Sequence, residues 1–143
     1  MINLRFVMDT DVVIAGMRSP KGASAALLKA AQAKQFSLLL SVPLAVEYEA
    51  VSGEREHQLA AGLSALEATQ FVTVVIALCE PVSIHYLWRP KLRDPNDEMV
   101  LETAVNGQAH AIVTFNQKDY GTVPGDFGID VLLPAEAIQR ISR

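Results

Sequence analysis

Short apolar runs alternate along this chain with stretches of helical character, and that alternation limits the folds open to it more than any other feature. LRFVMD (4–9), FSLLLS (36–41), FVTVVI (71–76), AHAIVTF (109–115) and GIDVLL (128–133) have the length and apolar content of strands, and FVTVVI is rich in β-branched residues. Between them lie helical stretches. The alanine-rich segment following Lys21 predicts a helix from about Ser24 to Gln35. PLAVEYEAVSG opens on Pro43, favoured in a first helical turn, and stops near Gly53. EREHQLAAGLSALEATQ (54–70) carries Leu59, Leu63 and Leu66 at helical spacing and predicts one helix that tolerates Gly62. DEMVLETAVNG (97–107) ends on the helix-stopping pair Asn106-Gly107, and PAEAIQRI (134–141) closes the chain's regular structure. The segment from Cys79 to Pro95 has no clear pattern beyond a short helix over SIHYLWR (83–89). Strands separated by helices pair in parallel and carry helices on both faces. The expected fold is therefore a three-layer α/β/α sandwich with a central parallel sheet, formed by a single domain over residues 1–143. In such a sheet the functional crevice lies at the carboxyl ends of the strands.

The totals agree with one well-filled core. Half of the 143 residues are hydrophobic, with no repeat and no low-complexity tract. The single cysteine, Cys79, allows no intramolecular disulfide and no thiolate zinc site, which suits a reducing cytoplasm. Arg5 and Asp9 interrupt any signal-like apolar run, and no stretch approaches the length of a membrane span. At a net charge of −4, any contact with nucleic acid requires a local basic patch or bound cations.

The acids are placed with some regularity. Asp9 and Asp11 stand at the end of the first apolar run, where Asp9 either caps the turn VVIAGM or forms one wall of a cation site. Leu44, Glu47, Tyr48 and Val51 share a helix face, so Glu47 lies on an apolar stripe, where a carboxylate needs a partner, a proton or a cation. Asp94 before Pro95 has the form of an N-cap, and Asp97 that of the third-position acid of a capping box. Asp97 also heads the stripe Asp97, Val100, Leu101, Ala104, while Glu98 and Glu102 fall on the side expected to face solvent. Thr114, Asn116 and Asp119 follow another strand, where polar residues commonly make a turn. Asp9, Glu47, Asp97 and the Asn116/Asp119 pair are thus expected to converge on one end of the sheet. Such acids stay ionised together only with a counter-charge, and Mg²⁺ or Mn²⁺ suits an all-oxygen donor set.

VMDTDV, SVPLAVEYEAV, RDPNDEMVLETA and AIVTFNQKDY, in that order and over nearly the whole chain, resemble the PIN-domain nucleases, in particular the toxin components of VapBC-type toxin–antitoxin pairs. The resemblance implies a Mg²⁺- or Mn²⁺-dependent endoribonuclease. Its catalytic acids would be Asp9, Glu47 and Asp97, with Asn116 and Asp119 adding to the cation site. Two positions depart from the family pattern. Asp11 stands where asparagine or serine is frequent, and Asn116 where a fourth acid is frequent. The cation would acidify a water for in-line attack at phosphorus, so no histidine need act as base, and His57, His85 and His110 are read as structural or surface groups. Arg93, Thr10, Thr114 and Lys118 are the expected RNA contacts, with Arg89, Lys91, Arg18 and Lys21 as further phosphate candidates and Trp88 as a base-stacking or core residue. An antitoxin protein covering the pocket and a homodimer are the implied partners. Two other readings remain open: a non-catalytic PIN-fold module that binds RNA or protein, and a metal-dependent phosphatase using the DTD at positions 9–11.

Overall fold

The computed structural model describes residues 2–85 and 91–142. Its strands are β1 (Arg5–Met8), β2 (Ser37–Leu40), β3 (Glu80–Pro81), β4 (Ala111–Val113) and β5 (Asp130–Leu132). They form one sheet in the order β3-β2-β1-β4-β5, with every neighbouring pair parallel. The chain winds outward from β1 through β2 to β3, then crosses to the other side of β1 for β4 and β5. This reversal sets a topological switch point between β1 and β4, where Phe6, Val7 and Met8 are in register with Ala111, Ile112 and Val113. The helices are α1 (Thr10–Arg18), α2 (Ala23–Gln32), α3 (Val42–Ser52), α4 (Arg55–Ala61), α5 (Ala65–Leu78), α6 (Pro95–Asn106) and α7 (Pro134–Ile141). The fold is the three-layer α/β/α sandwich that the alternation predicts.

The core is built on β1. Phe6, Val7 and Met8 are fully buried, together with Leu39, Ile112 and Val113 of the flanking strands. A strand covered on both faces needs a continuous apolar run, and LRFVM supplies one. A smaller cluster of Ile14, Met17 and Ala68, flanked by Val51, Leu63 and Phe71, ties α1 to the α4–α5 pair.

Several sequence expectations are corrected. FVTVVI is not a strand but the body of α5, and β3 is only the dipeptide Glu80-Pro81. Ala68, Val72 and Val75 are buried at i, i+4, i+7, whereas Val74 is 54% exposed, so burial follows a helical period. A capping box starts this helix: Ser64 Oγ accepts the Glu67 N–H at 3.1 Å, and Glu67 Oε1 accepts the Ser64 N–H at 3.0 Å. Packing on one face outweighs the modest β preference of valine. Residues 54–70 are not one helix either. Gly62 takes φ +70°, a left-handed conformation that ends α4, and α5 leaves at 90°. Leu59 and Leu66 consequently remain exposed, at 67% and 66%.

VVIAGM, expected as a turn, lies within the nine-residue α1. In α6 the stripe Asp97, Val100, Leu101, Ala104 is buried as expected, but Glu98 and Glu102 are buried too. The cause for Glu98 is the preceding segment, which folds back so that the Lys91 and Leu92 N–H groups both donate to Glu98 Oε1. Of the short helix expected over 83–89, residues 83–85 form no helix, and Trp88 and Arg89 lie outside the described residues. Among the described residues no single helix is long and apolar enough to cross a membrane.

The helical period of α5 is directly testable. Val72→Ala should cost about 2 kcal/mol, from two lost methyl groups plus a cavity, while Val74→Ala should stay within about 0.5 kcal/mol. Urea denaturation of the two variants measures both.

Candidate active site

The residues that leave β1 and β4 meet at the switch point. Asp9 follows Met8 and Thr114 follows Val113, and the Asp9 N–H donates to the Val113 carbonyl at 2.9 Å. The Asp9 side chain is buried and serves two purposes at once. As N-cap of α1, its Oδ1 accepts the Thr10 N–H at 2.8 Å. Its Oδ2 accepts the Thr114 hydroxyl at 2.9 Å and the Tyr120 hydroxyl at 3.0 Å. Capping and the acidic wall are therefore the same arrangement.

Glu47 is placed by its neighbour. Tyr48 is fully buried, and its hydroxyl donates to the Met8 carbonyl, which docks α3 against the end of β1. Ser41, the N-cap of α3, also hydrogen-bonds Thr103 Oγ1 at 2.7 Å and ties α3 to α6. Asp94 caps α6 by accepting the Asn96 N–H at 2.9 Å. The capping box expected between Asp94 and Asp97 does not form, and Asp97 is a buried acid of the site instead.

Asp9, Asp11, Glu47, Asp94, Asp97, Asn116 and Asp119 line one cavity of about 590 Å³. The three acids expected to converge, Asp9, Glu47 and Asp97, do converge. Asn116 and Asp119 are on the same wall, but the Asn116 amide nitrogen donates to Asp11 at 3.0 Å, so only its oxygen is left for a ligand. Thr114, expected to touch RNA, is fully buried; its hydroxyl donates to Asp9 and accepts the Asn116 N–H at 3.0 Å, so it orders the acids. Thr10 lines the cavity, while its backbone caps through Asp9. Arg93 and Lys118 line an adjoining cavity of about 410 Å³ together with Lys91. That cavity shares Asp94, Asp97 and Asp119 with the first. His57 lies on the cavity rim beside Arg18. Its Nδ1 is 3.4 Å from Arg18 Nη1, which can only donate, and its Nε2 is 3.4 Å from Glu54.

Tyr48 and Tyr120, which hold the acidic wall in place, were not singled out as site residues by the sequence. The available signals were Tyr48 beside Glu47 on its apolar face and Tyr120 directly after Asp119.

The electrostatics are those of acids crowded together and unpaired with any base among the described residues. Among the described residues the ion pairs are Arg5–Glu80 and Arg140–Asp130, neither of which neutralises the cavity acids. Burial pushes Asp11 up to about 6, helped by the Asp9 charge. Asp97 is also pushed up to about 6, by burial and then by Asp9, Asp94 and Asp119. Asp9 and Glu47 are raised as well, chiefly by desolvation, with Asp119 acting on Asp9 and with Asp9 and Asp94 acting on Glu47. Such a donor set, all hard oxygen, fits a divalent cation. No three His, Cys, Asp or Glu side chains among the described residues stand close enough for joint ligation. The fit is to an ion held by one or two carboxylates and keeping several waters, as Mg²⁺ does.

These raised values determine a pH dependence. Folded Asp11 and Asp97 hold protons more tightly than they do in the unfolded chain, so between about pH 4 and 6 the folded state binds more protons. Their contribution to stability is therefore lost as pH rises through about 6. Without metal, melting temperature should fall as pH rises from 5 to 7.5; Mn²⁺, which selects the ionised carboxylates, should reverse that trend at the upper end. Melting curves in chelator and in Mn²⁺ check it.

A search of curated proteins finds no match. The family model described as PIN domain matches residues 5–118, from the first residue of β1 to Lys118 in the wall of the second cavity. Members of that family are generally nucleases and typically use divalent metals. With most of its length matched and its acids gathered at the switch point of a parallel sheet, this chain belongs to the PIN-domain family.

Proposed function

We propose that the protein is a divalent-cation-dependent endoribonuclease, the toxin of a toxin–antitoxin pair. The observation that carries this reading is the pairing of two adjoining cavities, one crowded with acids that form no ion pair among the described residues, the other edged by Lys91, Arg93 and Lys118. A polyanion placed across both finds phosphate-binding cations next to a cation-binding hollow.

Asp9, Glu47 and Asp97 would hold the Mg²⁺ or Mn²⁺, one or two of them directly and the rest through its waters, with Asn116 and Asp119 beside them. The cation supplies Lewis-acid polarisation of the scissile phosphate and an acidified water. The chain's own residues do the rest. Thr114, Tyr120 and the Thr10 N–H hold Asp9 in a single orientation through three hydrogen bonds. Lys91, Arg93 and Lys118 take flanking phosphates and orient the strand. Water adds to phosphorus, the bond from phosphorus to the leaving oxygen breaks, and one proton passes from the water to that oxygen, giving two RNA ends.

The uncompensated acids also supply the recognition chemistry for an antitoxin, because an inserted arginine would pair with them. Val42, Val46 and Val74 expose apolar surface on α3 and α5 suited to a homodimer. A free Cys79 thiol accords with a cytoplasmic location. A non-catalytic binding module is the second reading, favoured by an amide, rather than a fourth acid, at Asn116 and by the absence of three jointly ligating side chains among the described residues.

Cleavage of single-stranded RNA should require Mn²⁺ or Mg²⁺ and fall by about 10²-fold or more in Asp9→Asn and Asp97→Asn. Unchanged cleavage in both would reject the site. Cation binding without cleavage would favour the binding module, and phosphate release from small phosphomonoesters a phosphatase.

A second measurement separates grip from chemistry. Arg93→Ala and Lys118→Ala should each raise KM several-fold and lower the salt slope of RNA binding by about one, with kcat little changed.

A further inference from the structure

Asp11 is bound up with the acidic cavity through the loop that follows β4. Its Oδ2 accepts the Phe115 N–H at 3.1 Å and the Asn116 side-chain amide at 3.0 Å. The Asn116 backbone N–H donates to Thr114 Oγ1 at 3.0 Å, and Thr114 donates to Asp9 Oδ2 at 2.9 Å. Asp9, Thr114, Asn116 and Asp11 thus close a ring between the start of α1 and the exit of β4. An ionised carboxylate only accepts, so the Asn116 amide must turn its nitrogen toward Asp11. Because the amide group is planar, its oxygen is then directed away from Asp11. Asn116 is exposed and lines the cavity, and no described residue donates to that oxygen.

We propose that Asp11 is a positioning residue, which orients the Asn116 amide so that its oxygen serves the acidic cavity as an uncharged donor toward a divalent cation. The inference rests on the cation-binding reading of this cavity. Asp11 acts through Asn116, as outer partners of metal ligands do, and the loss of such a partner commonly lowers metal affinity 10–100-fold. Its Oδ2 is already engaged by two N–H donors, while its Oδ1 is buried without a hydrogen-bond partner. An asparagine at position 11 would satisfy both through its own amide oxygen.

The test is calorimetric titration with Mn²⁺ in the absence of RNA. Asp11→Ala and Asn116→Ala should each weaken binding about tenfold, and the double variant about tenfold as well, because all three remove the same donor. Asp11→Asn should stay within about threefold of the native chain. Should Asp11→Ala fail to fold, Asp11→Ser, too short to reach the amide, takes its place with the same expectation. Multiplying losses in the double variant, Asp11→Asn as weak as Asp11→Ala, or a native chain that binds no Mn²⁺ would each overturn the proposal. The expected Mn²⁺ pattern without RNA cleavage would leave the positioning role standing and remove the nuclease reading instead.

Discussion

A carboxylate buried at the point where the sheet reverses direction is the constraint on which the rest of this structure depends. Asp9 cannot move without breaking three hydrogen bonds, one to the start of α1, one to the exit of β4 and one to Tyr120. Desolvation disfavours its charge, and those donors offset part of the cost. The neighbouring acids cannot help, since each carries the same sign. The switch point therefore concentrates both the order and the electrostatic stress of the molecule, in the place where a parallel sheet is open to a ligand.

The anchoring of the surrounding elements follows from that position. Tyr48 fastens α3 to the end of β1 by its hydroxyl on the Met8 carbonyl, and Ser41 links the same helix to α6 through Thr103. Glu47 and Asp97 thus stand on regular, packed helices, which hold a site more precisely than loops do. The wall after β4 is looser by construction, being a loop with exposed Asn116 and Asp119, and it is held by the hydrogen bonds of Asn116 to Asp11 and Thr114.

Much of this was legible in the sequence, and for local reasons. The strand-and-helix alternation predicts the layered parallel sheet, and the spacing of Glu47 and Asp97 relative to apolar neighbours predicts their inward direction. FVTVVI misleads because β-branched content says nothing about which residues the fold will cover; only the buried set Ala68, Val72, Val75 reveals the helix. The break at Gly62 depends on one left-handed residue, invisible to a leucine count. Glu98 and Glu102 look solvated from periodicity, yet both are buried, and Glu98 is covered by the segment that folds back over α6. The Asp11–Asn116 contact joins residues 105 apart, and no local pattern encodes it.

The tether at Glu98 has a further meaning for how such a site would measure its substrate. Asp97 faces the acidic hollow, and its immediate successor on the same helix grips the backbone of Lys91 and Leu92, next to the basic wall. Two consecutive residues of α6 therefore fix the span between the acidic cavity and the segment that carries Lys91 and Arg93. The helix works as a caliper: it can tilt or shift as a whole, but the gap between its jaws stays the same.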